Sequence, residues 1–207
     1  MDDLIFKTLT TWSDRSKCQG SHVAAAAVYN ERLLGIGYNG TPSGTRNCNQ
    51  VFKKVVSPEK TEYYVILEPE LLLWAQEGGF ELKIQPPSKR TFVNCAEFVG
   101  EEKAKDLFNY LHGKWSTKYE VHAEMNLVFN LLKQGCNIPM EKVVVYTNIS
   151  PCDQCLKNLA GLGIKEIHFD KLYWRTNPIE LCRAADALNI RLLYKGRIFT
   201  GTVDSVD

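Results

Sequence analysis

From residue 122 to residue 194 the chain alternates helix-like and strand-like stretches, and this alternation constrains the fold more than any other feature. A helix with Leu127, Leu131 and Leu132 at helical spacing stops near Gly135. A strand over 143–147 follows, then a helix running to Gly161 or Gly163, a strand over 166–169, a helix over 178–188 and a strand over 190–194. Strands separated one by one by helices imply a mostly parallel sheet flanked by helices. Ahead of this block, residues 3–15 form an amphipathic pattern with Leu4, Ile5, Leu9 and Trp12. Strands over 23–29 and 33–36 then face each other around Asn30-Glu31, a hairpin. Residues 50–117 read as a less regular insert in a single domain, with one helix-like stretch at 70–76 and turn signals at Gly78-Gly79 and Pro86-Pro87.

Two short motifs sit inside the alternating block. His122-Ala123-Glu124 opens its first helix, and Pro151-Cys152-Asp153-Gln154-Cys155 opens its second. One histidine and two cysteines are a three-ligand zinc set, which leaves the fourth tetrahedral position open, whereas a closed structural site takes four protein ligands. Glu124 lies two residues from His122 and so points in another direction on a helix, suited to a carboxylate that reaches over the metal. Pro151 reads as a first helical residue. Thiolates at a helix start gain from the unpaired N–H groups there. The plainer readings are a redox pair for Cys-x-x-Cys alone and a structural zinc ribbon, which would need a fourth ligand that neither motif contains. His168 alternates with Ile167 and Phe169 and reads as a satisfied sheet histidine.

Composition excludes several classes. No apolar run approaches the ~20 residues of a membrane span, and Met1-Asp2-Asp3 does not open like a secretory signal. A cytoplasmic protein is the expectation. Seven cysteines are an odd number, with two claimed by the metal motif, so reduced thiols fit better than a disulfide framework. Twenty-five basic against 24 acidic residues give a net charge of +1. Proteins that track long nucleic acids carry a clear basic excess, so this balance favours a mononucleotide over a DNA or RNA strand.

His-x-Glu followed by Pro-Cys-x-x-Cys is the signature of zinc deaminases. Together with Ser16-Lys17-Cys18, Gly37-Tyr38-Asn39-Gly40-Thr41-Pro42-Ser43-Gly44, His122-Ala123-Glu124-Met125-Asn126 and Ser150-Pro151-Cys152, the chain resembles the deoxycytidylate deaminases, most closely the bacteriophage type. The resemblance covers residues 10–48 and 115–195. It implies an α/β fold of the cytidine deaminase kind, a three-layer α/β/α sandwich with a five-stranded mixed sheet. It further implies hydrolytic deamination of dCMP to dUMP for thymidine nucleotide synthesis, in the host cytoplasm if the phage likeness holds. A hexamer is implied too, with dCTP and dTTP as opposing regulators and Mg2+ accompanying the regulatory nucleotide. A deaminase of tRNA adenosine or of single-stranded DNA is the alternative enzyme, disfavoured by charge and by the Gly37–Gly44 element. A nucleotide-binding regulator without turnover is the non-enzyme alternative, disfavoured by the intact Glu124.

Roles carry over from the resemblance residue by residue. His122, Cys152 and Cys155 hold the catalytic zinc and Glu124 moves protons. Asn39 contacts deoxyribose or phosphate, Tyr173 closes over the nucleotide, Ala123 lines the substrate, and Lys17 and His22 stand where relatives place phosphate-side donors. Two departures stand out. Gly20 replaces an arginine that contacts phosphate in some relatives, and Val23-Ala24-Ala25 replaces Val-Gly-Ala, which puts a methyl group near the base pocket. Phage-type relatives also hold a structural zinc, and Cys18, Cys48 and His112 match three of its four ligands. Phe108 occupies the fourth position and cannot ligate. Cys95 is the expected substitute, giving a closed Cys3His set that pins the 50–117 segment.

Overall fold

The computed structural model describes residues 2–83 and 90–202, so the Pro86-Pro87 turn signal lies outside the described residues. In chain order they form α1 (Asp2–Ser13), β1 (Ala24–Tyr29), β2 (Arg32–Tyr38), β3 (Phe52–Val56), β4 (Thr61–Val65) and α2 (Pro69–Glu77). Next come β5 (Val93–Asn94), α3 (Cys95–Val99), α4 (Glu101–Tyr119) and α5 (Ala123–Lys133). The chain closes with β6 (Val144–Ile149), α6 (Asp153–Gly161), β7 (Glu166–Lys171), α7 (Pro178–Ala187), β8 (Arg191–Tyr194) and β9 (Arg197–Ile198). These elements fall into two compact units, residues 17–21 with 40–120 and the rest of the chain.

The larger unit holds a six-stranded sheet in the order β2-β1-β6-β7-β8-β9. The pairs β6–β7 and β7–β8 are parallel, as helix-separated strands require, while β1–β2, β1–β6 and β8–β9 are antiparallel. The sheet is therefore mixed, as the family likeness implies, and less parallel than the alternation alone suggests. The sixth strand is the two-residue β9, returned by a turn in which Lys195 and Gly196 both have positive φ. A turn that tight is local chemistry outside a helix–strand count.

Alternation along β1 builds the layers. Ala24, Ala26 and Val28 pack with Ile5, Phe6 and Leu9 of α1, whereas Ala25 and Ala27 face a core made with Leu127 and Leu131 of α5, Leu156 and Leu159 of α6, and Leu181 of α7. One helix thus covers one face and three cover the other. Leu4 and Leu132, which sequence periodicity assigns to apolar faces, are largely exposed, because the buried stripe of each helix is narrower than its run of leucines. His168 is buried and satisfied, as expected, with Nδ1 3.2 Å from Asp2 and Nε2 2.6 Å from Glu166.

The segment that reads as irregular is largely regular. Strands β3, β4 and β5 form an antiparallel sheet, and α2, α3 and the 19-residue α4 pack with it around Phe52, Val65, Leu71, Phe98, Leu107, Phe108 and Leu111. Its periodicity is masked because aromatic and thiol side chains carry much of that core, and because short strands give few repeats to count.

Candidate metal centre and active site

His122 is the N-cap of α5: its backbone is extended, and its carbonyl accepts from the N–H groups of Met125 and Asn126. Cys152 is the N-cap of α6 and Cys155 lies in the first turn of that helix. Pro151 therefore precedes the cap and does not occupy the first helical position, so the proline stiffens the entry to the helix while Cys152 takes the cap. The three donors converge. Cys152 Sγ is 3.4 Å and Cys155 Sγ 3.5 Å from His122 Nδ1, and all three donor atoms lie within 4.8 Å of one another. Zinc bonds of ~2.3 Å to sulfur and ~2.0–2.1 Å to nitrogen at tetrahedral angles put such donors about 3.5 Å apart, so the set fits zinc. Exposure is graded across it: His122 is exposed, Cys152 half-buried and Cys155 buried, which leaves one side open to a reactant.

The electrostatics of the cysteine pair match a metal-binding role. A hydrogen bond from Cys155, with His122 alongside, pulls the Cys152 thiol down to about 4, and the same bond together with burial raises Cys155. Glu124, in the first turn of α5, is 3% exposed. Burial raises its carboxyl, opposed by its own backbone N–H and by His122. A buried carboxyl beside the trio, with a raised affinity for protons, is equipped to take up and return a proton.

Two substrate candidates are tied to this frame. Asn39 is buried; its Oδ1 accepts from Val23 N–H at 2.9 Å and its N–H donates to Val23 O at 3.0 Å. Tyr173 N–H donates to Ser150 Oγ at 3.0 Å, which moors the loop after β7 to the residue preceding Pro151-Cys152. Ala123 is fully buried at the start of α5. His22 and Lys17 are both exposed, and Lys17 belongs to the other unit.

Three further residues, given no role in the sequence reading, hold the site together. Asn126 Nδ2 donates to Tyr38 O at 2.8 Å, fastening the strand before Asn39 to α5. Asn148 accepts from Ala24 N–H at 2.9 Å and donates to His22 O at 3.1 Å, clasping the start of β1. Gly37 lies so close to α5 that a Cβ there would stand 2.4 Å from Ala123 O and 2.2 Å from Leu127 N. An asparagine in an otherwise apolar strand is the sequence signal for Asn148, whereas Asn126 lies within the His122–Asn126 motif.

The smaller unit contains the second cluster, and the donors of Cys18, Cys48 and His112 also lie within 4.8 Å of one another. Cys95 is not gathered with them. It is buried at the start of α3, and burial pushes its thiol up to about 12. Phe108 stacks on the His112 ring at an interplanar angle of 4°. At Gly20 a Cβ would stand 2.7 Å from His112 Cε1, so a larger residue there requires the histidine ring to move.

A sequence-family model described as the cytidine and deoxycytidylate deaminase zinc-binding region matches residues 2–171. The deoxycytidylate deaminase of Enterobacteria phage T2 is 28% identical over 166 residues, 80% of this chain and 77% of that protein. That of phage T4 is 27% identical, with 80% and 75% covered. Among solved structures, the dCMP deaminase of cyanophage S-TIM5 in complex with dCMP and dUMP superposes with a TM-score of 0.54 at 18% identity, covering 93% of this chain and 94% of that one. That superposition establishes the common fold.

Proposed function

Because the chain belongs to the cytidine and deoxycytidylate deaminase zinc-binding family, we propose that it deaminates dCMP to dUMP, with His122, Cys152 and Cys155 as zinc ligands and Glu124 as proton carrier. The observation that carries this reading is the convergence of the three donors at two helix starts beside a buried glutamate. Zinc, when bound there, supplies a Lewis acid that makes water a competent nucleophile at neutral pH. Glu124 takes a proton from the attacking water and delivers it to N3 of the cytosine, which makes C4 more electrophilic. The new C4–O bond forms as the ring loses aromaticity. Glu124 then passes the second proton to the amino group, the C4–N bond breaks, and uracil and ammonia leave. Its raised proton affinity suits both steps.

Asn39 and Tyr173 position the nucleotide in this reading, the first held rigid by Val23 and the second by Ser150. Ala123 lines the base, and His22 supplies a phosphate-side contact. The chain also holds a second, structural zinc on Cys18, Cys48 and His112, supported by their shared geometry. Control by dCTP and dTTP with Mg2+, a hexameric assembly and action in the cytoplasm of a phage-infected host belong to the same reading and rest on the likeness to the phage enzymes. No described helix is long and apolar enough to cross a membrane.

The test is direct. Purified, zinc-replete protein is incubated separately with dCMP, deoxycytidine and a cytosine-containing oligonucleotide, and loss of the cytosine chromophore is followed. Turnover of dCMP above the other two is expected; equal activity on the oligonucleotide, or none on dCMP, overturns the reading.

A further inference from the structure

Trp174 is the most exposed large hydrophobic side chain among the described residues, 72% accessible. An indole left in water forgoes the burial that usually accounts for a tryptophan, so its position needs another reason. It lies in the loop 172–177, between the end of β7 at Lys171 and the start of α7 at Pro178. That loop is tied at both ends. Ser150 N–H donates to Lys171 O at 2.7 Å, Tyr173 N–H donates to Ser150 Oγ at 3.0 Å, and Thr176 N–H closes a turn on Tyr173 O at 2.9 Å. Asn177 then caps α7 by accepting from the N–H groups of Ile179 and Glu180. Because Ser150 leads through Pro151 into the Cys152 cap, the loop stands at the rim of the metal trio, within the same compact unit. It is also at the carboxyl ends of the parallel strands β6 and β7, the end at which open α/β sheets take their ligands.

Arg175 is exposed beside Trp174 and stacks on it. Its guanidinium carbon is 4.3 Å from the centroid of the indole, the shortest cation–ring distance among the described residues, and the Tyr173 ring lies 5.9 Å from that of Trp174. Arg46 and Arg191 pair with Glu68 and Glu166, whereas no acid among the described residues pairs with Arg175, and the chain has no acidic residue between Asp170 and Glu180. Stacking uses the flat face of a guanidinium and leaves its N–H edges free, and those edges match two oxygens of a phosphate in one plane. The stack also removes rotamer freedom that a loose arginine would lose on binding an anion. In dCMP the amino group that is lost and the phosphate lie at opposite ends of the nucleotide. With the base at the metal trio, the phosphate emerges at the rim.

We propose that Arg175 recognises the 5′-phosphate of the substrate and that Trp174 is the positioning residue that holds its guanidinium ready, so that the pair sets the preference for a nucleotide over a nucleoside. This deepens the dCMP reading above and rests on it. It also gives the exposed indole its reason: a polar residue in its place would offer the guanidinium no face to stack on.

Both side chains are exposed, so replacing them leaves the core intact. The full-length, zinc-replete protein is assayed on dCMP and on deoxycytidine, and binding of dUMP and of deoxyuridine is measured by calorimetry. In Arg175→Ala the ratio of kcat/KM for dCMP to that for deoxycytidine should fall ~10- to 100-fold, the range of hydrogen bonds to a charged group, and dUMP affinity should fall by a similar factor relative to deoxyuridine. Arg175→Lys keeps the charge without the planar fork and should recover part of both losses. Trp174→Ala should lower the ratio as well, and Trp174→Phe, which keeps an aromatic face, should restore most of it. Added salt should narrow the gap between wild type and Arg175→Ala. A wild type that handles dCMP and deoxycytidine equally overturns the dCMP reading and this proposal with it. A wild-type preference for dCMP that survives intact in Arg175→Ala overturns the Arg175 assignment alone, as does an equal loss on both substrates. A Trp174→Ala protein with the wild-type ratio overturns the role given to the indole.

Discussion

Replacing Gly37 by alanine should damage the active site although Gly37 touches no proposed ligand. The added Cβ would meet Leu127 N at 2.2 Å, Ala123 O at 2.4 Å and Asn126 C at 2.8 Å. All three are backbone atoms of α5, so no side-chain rotation relieves the clash. Ordinary contact lies near 3.4 Å, and β2 and α5 must separate by roughly 1 Å to reach it. Overpacking of this kind costs about 1–3 kcal/mol, and the backbone partners place Gly37→Ala at the upper end, about 3 kcal/mol. The displaced segment begins at the His122 cap and carries Glu124, and a 1 Å misplacement near the chemistry can cost about 10²-fold in rate. Urea unfolding followed by tryptophan fluorescence measures the first quantity, and dCMP turnover at saturating zinc the second. Gly161→Ala is the control: the added Cβ meets nothing within 4 Å at the end of α6, and stability should hold or rise by up to ~1 kcal/mol. Should Gly37→Ala unfold within ~1 kcal/mol of wild type and turn over normally, the close approach of β2 to α5 is not what positions His122 and Glu124.

Glu124→Ala should retain zinc and nucleotide binding while kcat falls by at least ~10²–10⁴, and Cys152→Ala should lose the catalytic zinc; metal analysis beside steady-state kinetics separates the two, and near-normal kcat in Glu124→Ala would remove its proton-carrying role. Asn39→Ala deletes a buried acceptor of Val23 N–H as well as the proposed substrate contact, so kcat/KM for dCMP should drop more than that for deoxycytidine; an equal drop for both would mark Asn39 as structural only. Asn148→Ala removes two hydrogen bonds to the backbone at the start of β1 and should cost ~1–3 kcal/mol of unfolding free energy, with a denaturation midpoint unchanged from wild type counting against that clasp. Acidification should release zinc from both clusters, because thiolate ligands take up protons as the metal leaves; a zinc content constant down to the unfolding pH would contradict thiolate ligation.

The gathering of His122, Cys152 and Cys155 was legible in the chain because each half of the motif is local. Cap positions, a proline before Cys152 and an apolar helix after His122 set each half of the motif within a few residues, and β6, which pairs with β1 and β7, carries the chain from one half to the other. The same holds for the β1–β2 hairpin, whose turn residues Asn30 and Glu31 both adopt positive φ. Where a feature depends on residues far apart, sequence alone misled or was silent. Cys95 has the right chemistry and the wrong place, while Glu120, 102 positions from Cys18, meets it in space. The tight fit at Gly20 and Gly37 is likewise set by His112 and by the α5 backbone, groups distant in the chain. Short-range hydrogen bonding and periodicity determine which elements form; which side chains share a shell is decided by packing, since a closed interior admits only the atoms that fit beside one another.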